Sequence, residues 1–202
     1  ACDSGTLSTT CTVSTSQTMT NNEVISGTGN LTVASGGVLT TAAGETFGIN
    51  MTGGASTILI QSGGTITGNL SGAISTTFTV DSGGSINVDG RGFAAQAGTG
   101  AGSNTNDGGG GHGGSGGSGG GVIYGSTTTP TTFGSGGGRS TCGNCNNGPA
   151  GPGGGAVKIN TSGTLTIIGI LSANGGAGTS GAQSSGGGGA GGSIYLVAGT
   201  LT

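Results

Sequence analysis

Glycine recurs at every third residue in three separate passages of this chain, a spacing that few folds accommodate. In the first passage Gly110, Gly113, Gly116 and Gly119 stand in phase, with His112, Ser115 and Ser118 sharing another phase. Gly148, Gly151 and Gly154 keep the period around Pro149 and Pro152, and Gly175, Gly178 and Gly181 keep it in the third. A polyproline II helix has three residues per turn, so each set lies along one edge of an extended left-handed helix. An edge without Cβ atoms lets another backbone come close. The tracts are therefore expected as packed polyglycine II rods rather than flexible spacers.

The rest of the composition fits a layered β protein. Glycine supplies 55 of 202 residues, against a usual share of about 7%. Disordered chains combine few apolar residues with high net charge. Here 30% of residues are hydrophobic and the net charge is −3. No apolar pattern of period 3.6 stands out, so helices are not expected. The only cations, Arg91, Arg139 and Lys158, are scattered, which argues against a nucleic-acid partner. The longest apolar runs, such as Ile167 to Leu171, are too short to span a bilayer, so membrane insertion is not expected either.

A short unit repeats in residues 1–92. Leu31-Thr32-Val33, Ile58-Leu59-Ile60 and Phe78-Thr79-Val80 are each followed by Ser-Gly-Gly within a few residues and then by a second apolar stretch. Period-two alternation places the aliphatic residues on one face and hydroxyl residues on the other. Turns spaced by one solenoid coil favour a parallel β-helix with Ser-Gly-Gly corners over antiparallel hairpins. Residues 93–202 read as continuing coils with long glycine-rich insertions that leave on one side and return, the whole forming one continuous domain. Gly84 to Gly90 resembles Gly163 to Gly169, and strands are expected at Val122-Ile123-Tyr124, Ala156 to Ile159 and Ser193 to Val197. Thr200, Leu201 and Thr202 restart the strand of Thr164 to Thr166 and form a candidate assembly strand.

Four cysteines form two close pairs. Cys2 with Cys11 is expected to pin the first coil, and Cys142 with Cys145 to staple a loop tip, as in an oxidising compartment. The CxxC spacing lacks the helix N-terminus that a redox site uses and the four ligands that zinc needs. His112 reads as a substituent on a glycine rod rather than a general base. Asp81 and Asp89 lack the aromatic walls of a glycosidase cleft, and Asp107 alone does not make a calcium β-roll. No catalytic residue, cofactor or metal is expected. Sequons begin at Asn30, Asn50, Asn69 and Asn160 and permit glycosylation.

Thr-x-Thr pairs recur at Thr18 and Thr20, Thr65 and Thr67, Thr77 and Thr79, Thr164 and Thr166, and Thr200 and Thr202. Stacked on one face they would form a hydroxyl array of the kind ice-binding solenoids display. The combination of Ser-Gly-Gly corners with the string from Gly186 to Thr202 resembles the glycine-rich parallel β-helix regions of bacterial secreted and surface proteins, autotransporter or filamentous-haemagglutinin-like. That resemblance implies architecture more than activity. The leading expectation is an extracellular, cell-surface structural protein that stacks head to tail with itself into a filament or forms an adhesin stalk. Ice binding, or recognition of cells or glycans by an adhesin fragment, is the alternative.

Overall fold

Alternation at period two yields short strands in residues 4–87 and 156–201; the computed structural model describes residues 2–139 and 148–202, and among these there is no helix. After β1 (Ser4–Gly5), strands follow in triplets. The first coil holds β2 (Thr10–Val13), β3 (Ser16–Thr18) and β4 (Glu23–Gly27). The second holds β5 (Asn30–Val33), β6 (Val38–Thr40) and β7 (Thr46–Met51), and the third β8 (Thr57–Ile60), β9 (Thr65–Ile66) and β10 (Asn69–Ser75). In the fourth, β11 (Thr77–Val80) and β12 (Ser85–Asn87) are separated from β13 (Ala156–Thr161) by the first glycine-rich insertion. In the fifth, β14 (Thr164–Ile167) and β15 (Ile170–Ser172) are separated from β16 (Ser193–Val197) by the second, and β17 (Thr200–Leu201) opens a sixth.

Like strands stack on like. The orders are β1-β2-β5-β8-β11-β14-β17, β15-β12-β9-β6-β3 and β16-β13-β10-β7-β4. Among the described residues the named strands pair in parallel except β1 with β2, and one isolated antiparallel bridge joins Ser180 and Ser185. This all-β arrangement of mostly parallel sheets is compatible with a β-solenoid. Register puts Cys11, Leu31, Ile58, Phe78 and Leu165 in one column and Val13, Val33, Ile60 and Val80 in the next; every one of these side chains is fully buried. Stacking identical positions is what lets a narrow aliphatic ladder close into a core.

The Ser-Gly-Gly corners explain themselves locally. Gly36, Gly63 and Gly83 have φ of 81°, 76° and 81°. Each occupies the third position of a turn closed by Gly37 N–H to Ala34, Gly64 N–H to Gln61 or Gly84 N–H to Asp81. A positive φ at that position is the type II requirement that glycine meets without strain. The corners also bond to one another between coils, Gly36 N–H to the Gly63 carbonyl and Gly63 N–H to that of Gly83.

One expectation needs correction, and one likeness does not carry register. Residues 165–167 pair with 78–80, whereas residues 85–87 of β12 pair with Ile170–Ser172. Both stretches alternate glycine, threonine or serine and aliphatic residues, so likeness alone could not tell a first strand from a second. Val122-Ile123-Tyr124 is not a strand, and Val122 and Ile123 are largely exposed.

The chain divides into two compact units. The first comprises Ala1–Asn87, Lys158–Ser172 and Tyr195–Thr202, and the second Val88–Val157 and Ala173–Ile194. The second unit contains almost no regular strand. Its extended segments are joined by backbone hydrogen bonds whose partners recur every three residues. Gly134 and Gly137 donate to Gly154 and Gly151 at 2.9 Å each, while their carbonyls accept from Phe93 and Gln96. Ser135 and Gly138 accept from Ala190 and Gly187 at 2.8 and 2.9 Å. The buried segment 134–138 is thus tied to three others at once, which a flat sheet does not permit.

Candidate functional site

The glycine phases seen in the sequence differ in what they face. Gly148, Gly151 and Gly154 donate their N–H groups to Ser184, Gly187 and Ala190 at 3.0, 2.9 and 2.8 Å. A Cβ at these three positions would run into the carbonyls of Thr179, Gly176 and Ala173. At Gly175 and Gly178 it would meet those of Gly189 and Gly186. Gly181 belongs to a turn, donating to Ser184 beside the bridge between Ser180 and Ser185. The tract from Gly110 to Gly120, the most regular in sequence, does not run as one extended segment. Gly110 and Gly116 approach backbone, but Gly113 faces open space, and Ser118 and Gly119 adopt φ of 53° and 71°. Glycine at every third place permits a straight rod and equally permits a turn.

His112 sits at the start of that turn and is buried. Its Nδ1 lies 3.0 Å from the Gly191 carbonyl, which can only accept, so Nδ1 carries the proton. Nε2 lies 2.7 Å from the Thr132 hydroxyl, and the ring rests 4.9 Å from that of Tyr124. The Tyr124 hydroxyl donates to the Phe133 carbonyl and accepts from Ser135 at 2.8 Å. Burial pushes the Tyr124 phenol above its ordinary pKa, with the Ser135 hydroxyl opposing. A hollow of about 520 Å³ opens beside these residues, lined also by Ile123, Pro130 and Ile194. Both imidazole nitrogens are engaged with protein atoms, so the ring fixes segments in place. No group of three or more His, Cys, Asp or Glu side chains that could hold a metal occurs among the described residues.

The first coil is held from its outer side. Cys2 and Cys11 form a disulfide, while Cys142 and Cys145 lie outside the described residues. Asp3 accepts from the N–H groups of Ser14 and Thr15 at 2.6 and 2.7 Å and from Gln17 Nε2 at 2.8 Å. The Ser14 N–H, followed by that of Thr15, holds the Asp3 carboxyl below the usual aspartate range. β1 is laid antiparallel on β2, and the inward residues Val13, Met19 and Ile25 of this coil are buried, while Val24 points outward and is exposed.

At the other end of the stack the core columns are less covered. Leu201 continues the column of Leu165, Phe78 and Ile58, yet is 63% exposed where they are fully buried. Ile167 and Leu171 are half-buried, although Val80 and Ile86 one coil earlier are fully buried. Thr200 and Thr202 bond through their N–H groups to Gly163 and Leu165, so β17 is the outermost strand of its sheet.

The outer face of that seven-stranded sheet carries two columns of hydroxyls. One runs Thr10, Asn30, Thr57, Thr77, Thr164, Thr200; the other runs Thr12, Thr32, Leu59, Thr79, Thr166, Thr202. The Thr166 and Thr202 hydroxyls are 2.8 Å apart. Of the five Thr-x-Thr pairs noted in sequence, three fall here. Thr65 lies in β9 of another sheet, and Thr18 ends β3 with Thr20 in the following turn. Thr10 and Thr12 are a further Thr-x-Thr pair on this face, whereas Thr32 and Thr57 stand beside Asn30 and Leu59 and join it only through strand pairing. No protein-family model matches the chain, and neither does any curated protein or solved structure.

Proposed function

We propose that the chain is an extracellular structural protein, a β-solenoid subunit that stacks end to end into a filament, with its glycine segments serving as polyglycine II rods. The observation that carries this reading is the contrast between the ends of one core column: Cys11 fully buried in the first coil, Leu201 largely exposed in the last. A half-covered aliphatic ladder is completed by a further coil, and this reading assigns that coil to a second copy of the chain. A second copy presents the outer edges of β3 and β4 to β15 and β16, and its β1 to β17. Two unlike surfaces joined in this way repeat without closing, which produces a filament rather than a ring. Main-chain pairing supplies affinity where side chains are small. The Cys2–Cys11 disulfide and the sparse charge suit an oxidising exterior.

Electron microscopy of concentrated protein in non-reducing buffer tests it. Uniform fibres with an axial spacing of about 4.8 Å are expected, shortened by Leu201→Asp, which puts a charge in the joint. Monodisperse particles at every concentration would overturn the reading.

A further inference from the structure

We infer that the outer face of the seven-stranded sheet is an ice-binding surface, a function additional to assembly and independent of it. Ten of the twelve positions in its two columns are threonine, the exceptions being Asn30 and Leu59. The last three coils give an unbroken patch of three pairs, from Thr77 and Thr79 to Thr200 and Thr202. Strand propensity alone would favour valine and isoleucine as much as threonine at such places, and the inward columns of the same strands use them.

The spacing lies within about a tenth of a water lattice in each direction. Neighbouring coils lie about 4.8 Å apart, and alternate residues along a strand about 6.7 Å. Tetrahedral water with oxygen atoms about 2.75 Å apart repeats at roughly 4.5 Å across and 7.3 Å along the hexagonal axis. Threonine is stiff at χ1, so the hydroxyls and methyls are held in their ranks before any ligand arrives. Charge agrees as well: neither column contains an ionised side chain, and an ice lattice accommodates neutral hydrogen-bonding groups but rejects ions. A glycan would instead call for aromatic platforms, and this face has none.

Ice crystals grown in the full-length protein test the inference. Faceted crystals and a measurable gap between melting and freezing are expected. Thr79→Tyr, in the clean patch, should reduce that gap at least tenfold, while Thr40→Tyr on the outer side of a different sheet leaves it unchanged. Should Thr79→Tyr fail to fold, Thr166→Ser keeps the hydroxyl, removes the methyl and is expected to lower the gap several-fold. Round ice discs with no gap for the wild type would overturn the inference, and so would a folded Thr79→Tyr or Thr166→Ser as active as the wild type. Sedimentation of the same samples reports polymer or lateral pairing separately, so the filament reading stands or falls on its own.

Discussion

The coil unit and the glycine unit solve the same problem, burying backbone without helices, by opposite means. In the coils, side chains do the work: columns such as Leu31, Ile58, Phe78 and Leu165 exclude water, and the strands bond to the coils above and below. In the glycine unit the backbone itself is the core. Segment 134–138 is buried and bonded to three neighbours, with hardly a side chain between them. A sheet spends both faces on side chains and two edges on bonds. Segments that bond to several neighbours at once need backbone on all sides to come close, and glycine, with no Cβ, lets it. The two units should therefore fail under different substitutions.

The largest effect should come from emptying the ladder. Phe78→Ala is expected to cost about 3–5 kcal/mol in the coil unit, since Phe78 is among its largest fully buried side chains. Hydrogen exchange read by segment should show the loss in residues 1–87 first. Next comes Gly154→Ala, a gain of one methyl that would be harmless on most surfaces. Its Cβ meets the Ala173 carbonyl and should cost about 3 kcal/mol. Gly113→Ala, aimed at open space, should stay within about 0.5 kcal/mol. Equal melting temperatures for Gly154→Ala and Gly113→Ala would erase the distinction between rod and turn. Reducing Cys2–Cys11 should lower stability by about 2–3 kcal/mol, visible as a shift in thermal melting with and without reductant.

The smallest effect concerns acid. Asp3 titrates lower in the folded chain than in the unfolded one because the amides of Ser14 and Thr15 bind its charged form. Its contribution is therefore complete above the ordinary aspartate pKa, near 4, and fades as pH falls through the lower folded value. Asp3→Asn should flatten the pH dependence of amide protection at Ser14 and Thr15 across that window. Unchanged acid sensitivity in the variant would remove Asp3 from the cap.

Much of the coil unit was legible because its signals are local. A glycine at positive φ after Ser35, Ser62 or Ser82 marks a corner, and period-two alternation marks which face is inward. The candidate surfaces were legible only in part. The pairs from Thr77 and Thr164 onward announce themselves, whereas Thr57 has Leu59 for its neighbour on the face and Thr32 has Asn30. The strand expected at Val122 to Tyr124 failed since three apolar residues carry no information about whether a neighbouring strand exists.

The sequence by itself determined the period-two strands of the coils and their glycine corners, because alternation and a positive φ are local properties of the backbone. Only the tertiary structure decided which coil lies on which, and hence that scattered threonines form two ranks and that Gly151 faces a carbonyl while Gly113 faces open space. Register between segments far apart in the chain depends on the lengths of everything between them, and that is a property of the assembled fold rather than of any local stretch.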